Sequence, residues 1–208
     1  MHTLLLSLTA DLTFTGDTRR DMAAFLTRHN CPHTAGHCAS VAAEAKRLAQ
    51  RFGVEPARAE LGGLLHDISA VIPNVKRIDV ARQLNVPVLP EEVAFPMIIH
   101  QKLSVVVARE IFGVTDEGVL SAIGCHTTLK AEATVLDKVV FLADKIAWDQ
   151  PGQPPYLAAM LRAVDQSLDE GVWVYLDYLW QQRATLKVVH PWFEATYHEY
   201  EQQRNQGA

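Results

Sequence analysis

Six residues of this 208-residue chain pair a metal-ligating side chain with an apolar setting: His37, His66, Asp67, His100, His126 and Asp144. His66 and Asp67 sit together in LLHDIS (64–69), at the end of an apolar run. Successive helical residues point about 100° apart, so neighbours rarely share one target. Two metal ions roughly 3.5–4 Å apart would give them two targets. Asp144 follows Val139, Val140, Phe141, Leu142 and Ala143 and by spacing shares a face with Val140 and Ala147. A carboxylate there is costly unless it is paired or bound to metal. His100 ends the run Phe95 to Ile99, and His126 follows Ala122-Ile123 in SAIGCHTT. Taken singly, each histidine also reads as a core or capping group. Imidazole and carboxylate without thiolate suit iron, manganese or zinc and disfavour a structural zinc site.

Helices must position these residues. Val41, Ala45, Leu48, Ala49 and Phe52 form one stripe, with Gly53 as the stop. Pro56 suits the first turn of the next helix, which carries Ala59, Leu61, Leu64 and Leu65 into His66. Leu103, Val106, Val107 and Ile111 form a third stripe, Val119, Ala122 and Ile123 a fourth, and Leu136, Val139, Val140, Ala143 and Ala147 a fifth. Tyr156 to Trp180 reads as one long helix. Prolines fall between the stripes and strand alternation is scarce. The pattern predicts a single all-α domain over 1–208, in which a bundle brings the six residues together. QPGQPP (150–155) divides a metal-site core from a C-terminal helical extension, about 151–208.

The net charge of −5 argues against broad nucleic-acid binding but not against a small anionic substrate held by metal ions. Cys31, Cys38 and Cys125 form no CxxC pair and read as reduced, buried thiols. No apolar run approaches a membrane span or a signal sequence. The expectation is a cytoplasmic protein with no membrane or nucleic-acid partner.

Three stretches carry a resemblance: HCASVAAEAKRLAQRFGV (37–54), ELGGLLHDIS (60–69) and the segment from HQKLSVV to FLADKI (100–146). In order, spacing and flanking residues, over about 18–150, they resemble the HD-domain phosphohydrolase superfamily. More closely they resemble its YqeK-type branch, the symmetrical bis(5'-nucleosyl)-tetraphosphatases. The resemblance implies an HD-domain helical bundle with a di-metal centre between helices. It implies His37, His66, Asp67 and Asp144 as core ligands, Asp67 bridging, and His100 and His126 completing a second metal. The cofactors implied are two divalent or mixed-valence ions, iron in the family, with manganese, zinc, cobalt or magnesium as alternatives. A metal-bridging hydroxide would attack diadenosine tetraphosphate at its middle and release two ADP, with Asp67 and Asp144 in catalytic roles and a homodimer as the assembly. His33, four residues before His37, is a rival chelator that the resemblance disfavours, and His2, His29, His190 and His198 match no role.

The chain departs from the family at outer positions. The lysine three residues after the signature aspartate is Ala70. Thr-Gly-Arg after the fourth histidine becomes Thr128-Leu129-Lys130. The Glu-Pro-Asn-Arg run after the last aspartate becomes Ala147-Trp148-Asp149-Gln150. Lys130 and Lys102 are the candidate contacts to a nucleotide polyphosphate, with Lys145 and Arg77 behind them. Each also reads as a solvated surface charge. Trp148 reads as core packing or as a base-stacking ring. The substrate therefore stays open between diadenosine tetraphosphate, another nucleotide or phosphomonoester, and a non-catalytic, metal-stabilised nucleotide-binding role.

Overall fold

The structure is a computed structural model that describes residues 2–206. Twelve α-helices follow in order: α1 (Thr3–Leu8), α2 (Thr18–Arg28), α3 (Pro32–Phe52), α4 (Pro56–Leu65), α5 (Arg77–Gln83), α6 (Pro90–Ala94), α7 (His100–Glu110), α8 (Glu117–Cys125), α9 (Val135–Ile146), α10 (Leu157–Val164), α11 (Leu168–Gln181) and α12 (Pro191–Gln206). The described residues contain no strand, so the architecture is all-α.

The long α3 is the spine. Cys38, Val41, Ala42, Ala45, Leu48 and Ala49 are fully buried on one side of it, at the 3–4 spacing expected of a core-facing stripe. Gly53 ends the helix in the left-handed region at φ 70°. The neighbour α4 starts on Pro56 and packs against both α3 and α9. Two glycines make that approach possible. A Cβ on Gly63 would stand 2.6 Å from Ala42 Cα, and one on Gly62 would stand 2.9 Å from a methyl of Val140. The α7 helix packs on α8 and α8 on α9, so α3, α4, α7, α8 and α9 surround one interior. One apolar cluster runs from Leu5 in α1 to Tyr200 in α12. No helix among the described residues is long and apolar enough to cross a membrane.

One helix expectation needs correction. Tyr156 to Trp180 is not continuous: α10 stops at Val164 and α11 begins at Leu168. Ser167 is the reason. Its backbone is extended, and its side chain accepts the amide proton of Glu170, which starts a new helix. The broken stripe leaves Leu161 40% exposed.

Candidate metal centre

Each candidate ligand owes its place to a helix end or a buried face. His37 lies in the second turn of α3, and His66 follows the last residue of α4. Asp67 begins the 3-10 turn Ile68–Val71. His100 opens α7, His126 follows α8, and Asp144 lies near the end of α9. Ser69 ties the signature turn to α7, donating its hydroxyl to the His100 carbonyl at 2.8 Å. Gln101 Oε1 accepts the Thr127 amide at 3.1 Å and so fixes the turn after α8.

Five of the six residues form two groups that share Asp67, and Asp144 stands beside the first. His37, His66 and Asp67 form one; Asp67, His100 and His126 form the other. Asp67 turns Oδ2 toward His66 Nε2, at 3.7 Å, and Oδ1 toward His100 Nε2 and His126 Nε2, at 3.0 and 3.6 Å. Asp144 Oδ1 lies 3.1 Å from His37 Nε2 and 3.6 Å from His66 Nε2, on the first group's side.

The ring orientations test whether cations fit. His66, His100 and His126 each turn Nδ1 to the carbonyl three residues earlier, of Gly63, Met97 and Ile123, at 2.8, 2.5 and 2.8 Å. A carbonyl only accepts, so each Nδ1 carries the proton and each neutral ring turns an Nε2 lone pair inward. Two of these nitrogens, those of His100 and His126, then meet lone pair to lone pair at 2.9 Å. A cation between them relieves the repulsion at both nitrogens at once, which the one Thr127 hydroxyl proton beside them cannot do. The donor set, four imidazoles and two carboxylates, suits borderline divalent ions.

Charge within the cluster points the same way. Burial pushes the Asp67 carboxyl up, but His66 and His100 outweigh it and hold the group well below the usual carboxylate range. Burial likewise opposes ionisation of Asp144, and Lys145, His37 and His66 outweigh it. Burial drives His126 down to about 4, against its hydrogen bond to the Asp67 carboxylate, so it is neutral at pH 7. Burial also lowers His66, but the Asp67 charge reverses that and raises it well above its ordinary value.

The HD domain family pattern matches residues 34–149, more than half of the chain. The chain belongs to the HD domain family. This HD domain is 46% identical over 139 residues to a Lactococcus lactis subsp. cremoris protein described as an uncharacterized protein in the pepC 5' region, covering 67% of this chain and 70% of that one. It is 32% identical over 123 residues to a Bacillus subtilis protein named symmetrical bis(5'-nucleosyl)-tetraphosphatase, covering 58% of this chain and 62% of that one. Among solved structures, a predicted HD superfamily hydrolase involved in NAD metabolism from Clostridium acetobutylicum superposes with a TM-score of 0.80 at 20% identity, over 88% of this chain and 97% of the other.

The outer residues of this HD domain scatter. His33 is 72% exposed in its side chain and turns Nδ1 to Asp149 Oδ2, at 3.5 Å. Lys102 and Lys130 line a different cavity, beside Val105, Ser121 and Cys125, which none of the six candidate ligands line. Lys130 Nζ donates to Ser121 Oγ at 2.6 Å, and Lys102 Nζ pairs with the buried Glu92 at 2.9 Å. The preceding Leu129 is fully buried at φ 55°, in the left-handed region where the resembled family has glycine.

Lys145 overturns its reading as a surface charge. It is 8% exposed, pairs with Asp144 Oδ2 at 2.5 Å, and donates to the His126 carbonyl at 3.1 Å. It also lies 5.0 Å from the Phe141 ring centroid. Trp148 overturns its reading as core packing: it is 42% exposed and lines an open hollow beside His37. Sequence reasoning missed Thr127, whose Oγ1 lies 3.2 Å from His100 Nε2 and 3.1 Å from His126 Nε2. Its adjacency to His126 was the available signal.

Proposed function

We propose that this HD domain is a metal-dependent phosphohydrolase that cleaves diadenosine tetraphosphate symmetrically. One observation carries the reading: Asp67 divides its two oxygens between two histidine groups. Metals bound there would supply Lewis acidity toward phosphoryl oxygens and acidify a water for attack. The chain's own part is positioning. His37, His66, Asp67 and Asp144 would hold one ion, and Asp67, His100 and His126 the other. Lys145 takes Asp144 Oδ2 and leaves Oδ1 facing the histidines. Attack of water at an inner phosphorus breaks the central anhydride and yields two ADP. The name of the Bacillus relative supports this substrate class.

A second reading, hydrolysis of another nucleotide or phosphomonoester, is favoured by the outer residues. Lys130 and Lys102 are engaged with Ser121 and Glu92, and Ala70 carries no charge. The test is hydrolysis of diadenosine tetraphosphate by anaerobic, iron-reconstituted protein, with products separated by chromatography and His66→Ala as the control. ADP as the sole nucleotide product, lost in the control, supports the first reading. ATP plus AMP refutes symmetrical cleavage. Inertness toward this substrate with turnover of phosphomonoesters selects the second.

A further inference from the structure

A cavity of about 380 Å³ opens beside the second histidine group. That size lies within the range of small-molecule pockets. Its inner edge is Thr127, the residue whose hydroxyl touches both His100 and His126. Its opposite wall is Tyr175, whose ring lies 5.5 Å from Lys145 Nζ, the partner of Asp144. The cavity therefore abuts the second histidine group through Thr127. The exposed lining is mostly apolar, with Phe95, Ile98 and Leu186 among its walls, and Thr127, Thr185 and Lys187 add polar groups. At the rim, Lys187 Nζ sits 4.8 Å over the Phe95 ring centroid. This differs from the hollow on the His37 side, which is open and carries the exposed Trp148.

We propose that this cavity binds the nucleoside end of the substrate, so that the segment 175–193, outside the family-matched residues, sets which phosphate ester this enzyme accepts. The proposal rests on the phosphohydrolase reading and extends it. A mostly apolar, ring-bearing lining fits a planar base, and its threonine hydroxyls suit the sugar. A polyphosphate leaving it at Thr127 passes directly onto the histidine and aspartate cluster. His190 turns its Nε2 toward the buried Glu92 carboxylate, so it shapes the wall and does not offer a free donor. Its Nδ1 accepts the Trp192 amide at 3.2 Å, so in the neutral ring Nε2 carries the proton. That nitrogen lies 3.5 Å from Glu92 Oε1 and helps hold the Glu92 carboxyl down against its burial.

The test separates base recognition from phosphate recognition. ADP and inorganic pyrophosphate are titrated calorimetrically into the full-length, metal-reconstituted protein and into Leu186→Trp, which fills the cavity from an irregular, half-buried segment. Phe95→Leu, which removes a ring without adding bulk, is the second variant should the first not fold. ADP should weaken at least tenfold in either variant while pyrophosphate changes less than twofold. Equal ADP affinity in variant and wild type overturns the proposal, as does a parallel loss for both ligands or no ADP binding to the wild type. Turnover of diadenosine tetraphosphate is followed in parallel. If the wild type turns over no phosphate ester yet ADP binding still depends on Leu186, the hydrolase reading fails and the cavity assignment stands. If turnover is present and ADP is indifferent to both substitutions, the reverse holds.

Discussion

At the scale of single residues, the same side-chain type has opposite fates according to what lies beside it. Lys102 and Lys145 are both long cations next to buried carboxylates, but only Lys145 reaches a candidate ligand. Lys102 belongs to a structural group: Glu92 is fully buried, and Lys102 Nζ also donates to the Pro87 carbonyl at 3.1 Å and lies 5.0 Å from the Trp192 ring centroid. Removing one member of a buried ion pair strands the other and typically costs about 3–5 kcal/mol. Lys102→Met should lose stability of that order in urea unfolding while kcat/KM of the folded protein stays within threefold of wild type. A selective rise in KM at unchanged stability would instead make Lys102 a substrate contact. The ligand types themselves were legible from sequence, because a histidine or aspartate at the end of an apolar helix is conspicuous. The partners of Lys102, Lys130 and Lys145 were not. A charge on a helix gives no sign of whether an acid waits across the interior, and Glu92 lies on a short helix that no periodic stripe announces.

At the scale of elements, what matters is how closely helices approach and how their ends are held. The α3–α4 contact places His37 against His66, and Gly63 sets its distance. The atoms a Cβ would meet there are backbone atoms of Ala42, which cannot rotate away. Gly63→Ala should therefore destabilise by roughly 1–3 kcal/mol or more, as overpacking does. Gly62→Ala, which meets only the Val140 side chain, should cost less, and thermal melts of the two rank them. Helix starts are equally local. Asp116 caps α8, accepting the Gly118 and Val119 amides at 2.9 and 3.1 Å. The Arg58 guanidinium beside it, with those amides, holds its carboxyl down to about 2 against its burial. A carboxyl depressed in the folded state contributes stability above its unfolded value near 3.8 and loses it as pH falls toward 2. The melting-temperature advantage of wild type over Asp116→Asn should be constant from pH 7 to 5 and shrink from about pH 4 downward. A constant difference at pH 3 would refute the pairing. The stripes of α3, α4, α7, α8 and α9 were readable because each buries one face of a regular helix. The break at 165–167 was masked because the apolar period runs on from Val164 to Leu168, although Ser167 followed by Glu170 carries a helix-start signature.

At the scale of the whole molecule, the centre is where distant parts of the chain are joined. Its candidate ligands come from α3, the α4 end, α7, the α8 end and α9, and span residues 37 to 144. No single helix contributes enough donors to hold an ion, so a cation that binds all of them binds only the folded arrangement. Ligand binding to the native state alone stabilises it by RT ln(1 + [L]/Kd), about 2.7 kcal/mol at a hundredfold excess over Kd. For a chain of this length each kcal/mol raises the melting temperature by about 2–4 °C. Reconstitution with iron(II) or manganese(II) should raise it by about 5–10 °C, and a chelator should reverse the rise. His66→Ala and His126→Ala each remove one ligand from opposite groups, so each should abolish only part of the shift. Asp67→Ala, which removes the residue shared by both, should abolish nearly all of it. If Asp67→Ala instead kept half of the shift, the two groups would bind independently and the shared carboxylate would not be the hinge between them.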